Sequence, residues 1–236
     1  GSYTGIPGVG ETSGWIGPPA AWSTMKLTRA AFGQGVCVSQ LQMAAAMCVI
    51  ANEGRLMRPL LVSRIESPQG RVLQQFQPQF IRTVVRPQTA QQVKEAMKAV
   101  VAPGGTGALA ALDRYTVAAK TGTAQKSNAQ GFLPGRYYSS VIGFFPADAP
   151  QVVIAVALDE PENGYYGGKV VAPVFRTIAE QIATCLSIPP DKVGHAPARN
   201  LAAQPTPPAA RSVRLADGGY SSVCARVVGR ASRLRP

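Results

Sequence analysis

The stretch VAAKTGTAQ, residues 117–125, decides how the rest of the chain is read. Val117, Ala118 and Ala119 make a small apolar run, and Lys120-Thr121-Gly122-Thr123 follows it at a strand end. Each of those four residue types has work to do if a peptide or lactam lies beside that strand. Gly122 carries no side chain, so a substrate backbone can approach and pair with the strand edge. The backbone N–H of Thr123 can meet a carbonyl oxygen and stabilise the oxyanion that forms there. The hydroxyls of Thr121 and Thr123 can bond a substrate carboxylate, strengthened by its charge. Lys120 supplies a positive field for that carboxylate and for proton movement at a serine. The bare tripeptide Lys-Thr-Gly is weak, since a plain edge strand also explains three common residues.

Working outward, YTVAAKTGTA (115–124), YYSSVIGFFP (137–146) and QVVIAVALDEP (151–161) read as three strands. The continuous apolar run of the third suits a central strand. Short loops between them favour an antiparallel meander. Ser39 reads as an N-cap for an apolar helix over QLQMAAAMCVIANEG (40–54), with Leu41, Ala44, Ala45, Cys48 and Val49 on one face and Gly54 as its stop. RPLLVSRIES (58–67) reads as a short strand, PQGR (68–71) as a turn and RVLQQFQPQFIRTVV (71–85) as further extended chain. A second helix begins at Pro87, with Val93, Met97, Val100 and Val101 as its stripe and Gly104-Gly105 as its end. VVAPVFRTIAEQIATCLSI (170–188) reads as a last amphipathic helix with Val174, Ile178 and Ile182 in register. Residues 1–35 read as loop. The fold class these elements predict is α+β, an antiparallel sheet flanked by helices on both sides.

Of the 236 residues, 46% are hydrophobic and 15% charged, a globular composition. No apolar run reaches the ~18 residues of a membrane-spanning helix. The opening GSYTGIPGVGETSGW, with no initiator Met, reads as a fragment of something longer. The net charge is +12 and is unevenly spread. From Pro189 onward, eight Lys and Arg face only Asp191 and Asp217. Residues 189–236 are rich in Pro, Ala and Arg and hold too few large apolar residues for a core, so they read as a disordered basic tail. YSSVCARVV (220–228) reads as a weak strand within it. The cysteines Cys37, Cys48, Cys185 and Cys224 form no Cys-x-x-Cys pair, and the single histidine, His195, lies in the tail. That pattern argues against zinc or any other metal. Cys48 and Cys185 read as small buried hydrophobes.

Taken together, residues 5–190 resemble the C-terminal half of the transpeptidase domain of class B penicillin-binding proteins, of the septal, cell-division type. The resemblance rests on GIPGVGETSGW (5–15), WSTMKLTRAAFGQGVCVSQLQMAAAMCVIANEGRLMRPLLV (22–62), APGGTGALAALDRYTVAAKTGTAQK (102–126), YYSSVIGFFPA (137–147) and ENGYYGGKVVAPVFRTIAEQI (162–182), in the family's order. It implies a partial penicillin-binding, serine β-lactamase-like transpeptidase fold over residues 1–188. It implies acyl transfer from D-Ala-D-Ala stem peptides through a serine acyl-enzyme, and acylation by β-lactams. No cofactor is implied. Expected partners are peptidoglycan stem peptides, β-lactams and membrane proteins of the division machinery, with no nucleic acid. The expected location is the periplasmic face of the inner membrane, through an N-terminal anchor of the parent protein.

Carried over residue by residue, Lys120 and Thr123 match the family's catalytic third motif together with Thr121 and Gly122. Gln34 and Gly35, in Phe32-Gly33-Gln34-Gly35, match a loop at the cleft rim. Tyr137 or Tyr138 matches an aromatic on the next strand, and Arg136-Tyr137-Tyr138 leaves the register open by one. Tyr165, Tyr166 and Gly167 match an aromatic loop that can cover bound ligand. Packing beneath loops explains these tyrosines equally well. Gln125 stands where some relatives carry Arg.

The nucleophile is harder to place. Ser23-Thr24-Met25-Lys26 has Ser-x-x-Lys spacing, and a helix would set its Ser and Lys on one side. Three features argue against it. The Gly33 and Gly35 pair cuts the helix short. No Ser-x-Asn lies between Lys26 and Lys120. The segment also matches family text that follows both Ser motifs. Ser23 with Trp22 is therefore expected to cap and pin a surface segment. The serine, its lysine and the middle motif are expected to be missing from this chain, which alone should be inactive. Two other readings stay open: a non-catalytic peptide- or β-lactam-binding module or division scaffold, and a basic tail that binds nucleic acid or anionic lipid.

Overall fold

A computed structural model describes residues 3–6, 10–162 and 164–192. Of the tail expected to be disordered over 189–236, residues 193–236, with the weak strand and Cys224, lie outside the described residues. Its start is instead ordered against the domain: the Thr116 N–H donates to Asp191 at 2.7 Å and Lys192 Nζ to the Leu112 carbonyl at 2.6 Å. The observed architecture is α+β, with antiparallel strands and helices on both faces of the main sheet.

Following the chain, the helices are α1 (Thr24–Ala31), α2 (Gln40–Ala51), α3 (Pro87–Val101), α4 (Gly167–Val170) and α5 (Ala172–Cys185). The strands are β1 (Arg55–Met57), β2 (Arg64–Glu66), β3 (Val72–Gln75), β4 (Phe80–Thr83), β5 (Ala118–Asn128), β6 (Gly131–Phe145) and β7 (Val152–Asp159). The main sheet has the order β5-β6-β7, all antiparallel, as the meander pattern predicts.

Strand alternation explains the two-sided core. On β6, Val141 and Phe145 point to one face and Ile142 and Phe144 to the other. The first face packs on α5 through Phe175, Ala179 and Ala183. The second packs on Met47 of α2 and Met97 of α3. Among the described residues β6 is the middle strand and β7 pairs on one side only, so the central place expected of QVVIAVALDEP is not seen there. Its apolar run is covered by helices on both faces.

Other expectations shift in detail. Residues 23–31 are not loop: Ser23 caps α1, whose residues are all at least partly exposed. At eight residues α1 is shorter than the window in which a helical period is read. RPLLVSRIES does not form one strand: β1 precedes it, β2 ends it, and Pro59, with no N–H, sits in the irregular stretch between. β1 pairs with β4 and β2 with β3 in two separate ribbons. On α3 the buried residues are Ala90 and Met97, while Val93 is exposed. The final helix breaks into α4 and α5, with Pro173 in the first turn of α5. Its buried ridge is Phe175, Ala179 and Ala183, with Ile178 and Ile182 half-buried beside it and Val174 exposed. Small alanines at intervals of four let the helix approach the sheet closely. Cys185 is exposed and not buried. Cys48 is half-buried, and that burial pushes its thiol up to about 11.

The α2 start is built as its sequence predicts. Ser39 and Gln42 form a reciprocal capping box, with Ser39 N–H donating to Gln42 Oε1 at 2.8 Å and Gln42 N–H to Ser39 Oγ at 3.2 Å. Gly54 ends the element at φ +87°, against the Val85 carbonyl, where a Cβ has no room.

Candidate active site

β5 presents Lys120-Thr121-Gly122-Thr123 on an edge that pairs with no other strand among the described residues. The direction of its backbone groups follows from the ladder. In an antiparallel sheet, a residue turns its N–H and C=O to the same neighbour, and alternate residues face opposite neighbours. The Tyr137 and Phe145 carbonyls accept bonds from Glu160 and Gln151, on the β7 side. Odd residues of β6 therefore face β7, and even ones face β5. The pairs Lys120↔Ile142 and Gly122↔Ser140 carry the β5–β6 bonds, which leaves Thr121 and Thr123 with N–H and C=O turned to the open edge. Lys120 Nζ donates to the Thr121 carbonyl at 2.6 Å, as an outward carbonyl allows.

The side chains divide by face. Lys120 and Gly122 share the α2 face, where a Cβ on Gly122 would come within 2.5 Å of Ser140 Oγ. Thr121 and Thr123 share the opposite face. Thr121 Oγ1 donates to Thr106 Oγ1 at 3.2 Å. Thr123 Oγ1 accepts the Gly167 N–H at 3.1 Å. Gly167 lies flat on the ladder, because a Cβ there would come within 2.5 Å of both the Gly122 and Ser140 carbonyl oxygens.

The tyrosines separate cleanly. Tyr137 lies on the Thr123 face and stacks on Tyr165, with centroids 4.1 Å apart and rings 13° from parallel. Tyr165 meets Tyr166 at 4.4 Å, and its hydroxyl donates to the Tyr166 hydroxyl at 3.2 Å. That bond holds the Tyr165 phenol above its ordinary range. Tyr138 lies on the other face and accepts from Gln40 Nε2 at 2.8 Å. The register left open in the sequence thus places Tyr137 in the aromatic group beside Thr123.

Gln34 and Gly35 are less closely engaged. Both are exposed in a turn where Gly33 and Gly35 take φ of +93° and +73°. The Gln34 N–H bonds back to Arg29 O at 2.9 Å. Gln125 turns its amide to the Leu133 carbonyl at 3.0 Å. Ser23 Oγ accepts the Lys26 N–H at 3.2 Å and so acts as a helix cap. The Lys26 amine is held elsewhere, 4.6 Å from the Trp15 ring centroid and 5.4 Å from that of Trp22. The capping role expected of Ser23 is what the structure contains.

Two residues here escape a motif reading. Thr106 holds Thr121. Ser139 is the one fully buried polar side chain among the described residues, and its hydroxyl donates to the Tyr165 carbonyl. Counting antiparallel register from Gly122 would have put Ser139 opposite Thr123. No group of three or more His, Cys, Asp or Glu suited to a metal occurs among the described residues.

Lys120-Thr121-Gly122-Thr123 thus lies on an open-edged strand, backed by a helix-covered antiparallel sheet. Residues 1–180 match the family model of the penicillin-binding protein transpeptidase domain, and the chain belongs to that family. Among curated relatives, it is 34% identical to the peptidoglycan D,D-transpeptidase FtsI of Escherichia coli K12, over 81% of this chain and 31% of that protein. It is 35% identical to the probable peptidoglycan D,D-transpeptidase PenA of Neisseria flavescens, over 80% of this chain and 44% of that sequence. Among solved structures, penicillin-binding protein 3 of Mycobacterium tuberculosis complexed with aztreonam superposes with a TM-score of 0.71 at 33% identity, covering 81% of this chain and 45% of that one. The chain therefore spans about a third to a half of the length of these relatives.

Proposed function

We propose that this chain is the substrate-binding half of a septal peptidoglycan D,D-transpeptidase, and that residues 1–188 are the C-terminal part of its transpeptidase domain. The observation that carries the reading is the open β5 edge, where Thr121 and Thr123 turn their backbone groups outward beside a side-chain-free Gly122. A D-Ala-D-Ala stem peptide or a β-lactam lies along that edge. Its carbonyl oxygen meets the Thr123 N–H, and its carboxylate meets the Thr123 hydroxyl, the Thr121 hydroxyl once that proton turns from Thr106, and the field of Lys120. A serine attacks the carbonyl, the C–N bond breaks, and the terminal D-Ala leaves as the protonated amine. The acyl group then passes to the amine of a second stem peptide. Gln34, Gly35, Tyr165, Tyr166 and Gly167 border the cleft.

The serine, its lysine and the Ser-x-Asn motif come from sequence outside these 236 residues, so the chain alone does not turn over. The same reading extends to septal work, division-protein partners and a place on the periplasmic face of the inner membrane. Among the described residues no helix is long and apolar enough to cross a membrane.

Intact mass after incubation with benzylpenicillin tests the reading. The folded chain should gain no adduct. The full-length transpeptidase that contains it should gain one acyl group, and Gly122→Val, which drives a side chain into Ser140, should abolish it. An adduct on the chain that disappears in Ser23→Ala would overturn the proposal.

A further inference from the structure

We infer that Ser139 is a positioning residue that fixes the Tyr165–Gly167 loop beside Thr123 and so preorganises the ligand edge. The inference rests on the β5 edge being the ligand site. Ser139 and Thr123 are directly opposed across β5 and β6. The two hydroxyls hold the two ends of one short segment: Ser139 Oγ–H donates to the Tyr165 carbonyl, and Thr123 Oγ1 accepts the Gly167 N–H at 3.1 Å. The segment between them carries Tyr165 and Tyr166, and Tyr165 is stacked on Tyr137 from the same face of β6.

The chemistry at each end differs. Ser139 is 0% exposed, so no water can replace its bond to Tyr165. A fully buried hydroxyl is costly unless it is bonded, and this loop carbonyl is the partner the structure gives it. Thr123 is exposed, and one of its lone pairs is occupied by the Gly167 N–H. Its hydroxyl proton is left free to donate to an arriving carboxylate. The loop thus orders the tyrosines and, through Gly167, orients a ligand-binding hydroxyl. Ligand then finds the site formed and does not have to order it.

Removing the Ser139 hydroxyl should weaken capture and leave the chemical step alone. In the full-length transpeptidase, Ser139→Ala should raise the dissociation constant of benzylpenicillin about fivefold, the factor that ~1 kcal/mol of net hydrogen-bond free energy gives. The first-order acylation rate should change less than about twofold. The control for a merely structural role is a double-mutant cycle with Tyr165→Ala, which removes the ring and keeps the carbonyl. If Ser139 acts by placing that ring, Ser139→Ala should add nothing to the dissociation constant in the Tyr165→Ala background. Independent, additive losses, or a fall in acylation rate at unchanged affinity, overturn the inference. Gly122→Val separates the two failures. If it abolishes acylation while Ser139→Ala has no effect, the site reading stands and the role of Ser139 does not. If it too has no effect, the site reading itself is wrong.

Discussion

Residues 116–188 and residues 3–35 are built in opposite ways. The first region carries most of the core: Phe144, Phe145, Val141, Val171 and Phe175 are all 0% exposed. The second holds no buried residue among those described. It is fastened by polar and cation–π contacts. Glu11 accepts from Thr4, Trp15 and Cys37 form a single antiparallel bridge, and Lys26 lies against Trp15 and Trp22. Even the link to α2 is a hydrogen bond, from Gln42 Nε2 to the Ser13 carbonyl at 2.8 Å. The region that carries Lys120 and Thr123 therefore rests on packing, and the region that carries Gln34 and Gly35 rests on surface contacts. Burying large apolar side chains stabilises far more than exposed polar contacts do, so the first region should hold its shape where the second is easily displaced.

Four substitutions or labels sharpen or break that contrast. The largest effect belongs to Phe175→Ala, which empties a fully buried position between α5 and the sheet. It should cost about 3–5 kcal/mol in urea unfolding and lower the midpoint of the whole sheet region. A cost near zero would mean that α5 does not carry the core. Gly167→Val comes next, because its Cβ meets two carbonyl oxygens at 2.5 Å. It should cost about 1–3 kcal/mol and disperse the Tyr137–Tyr165 stack, read by near-ultraviolet circular dichroism. Lys26→Ala is smaller, at about 0.5–1 kcal/mol for an exposed cation–π contact. It should shift tryptophan emission and leave the urea midpoint of the sheet region unmoved, and a matching midpoint shift would join the two regions into one cooperative unit. The smallest test costs no stability. The Cys48 thiol, raised to about 11 by burial, stays protonated at pH 8, so a thiolate-directed reagent should label the exposed Cys37 and Cys185 first. Labelling of Cys48 as fast as the others would show that α2 is open to water.

The sequence carries the sheet well because β6 obeys a strict period of two. Val141, Ile142, Phe144 and Phe145 are large, and both faces are covered, so strand and burial read together. The motif also lands where its residue types imply, on an open edge. The readings that fail do so for one reason: they needed partners that periodicity does not name. The apolar run of β7 looks central, yet its cover comes from helices on both faces. The stripe through Val174 loses to Phe175, Ala179 and Ala183, because small residues let α5 sit closer to the sheet. α1 is amphipathic but only eight residues long, and no buried partner marks its apolar side. Tyr137 and Tyr138 are adjacent, and only the pairing of Thr123 with Ser139 tells which one faces the loop. Ser139 belongs to no motif, and its meaning depends on a carbonyl 26 residues away.

The measurement that goes most directly to the β5 edge is an amide-resolved nuclear magnetic resonance titration of the isotope-labelled chain with a peptide ending in D-Ala-D-Ala. Amide shifts should concentrate at Thr121, Gly122 and Thr123 and disappear in Gly122→Val. A well-dispersed, folded spectrum with those three amides unmoved, or with shifts confined to other surfaces, would contradict the assignment of this edge as the ligand site.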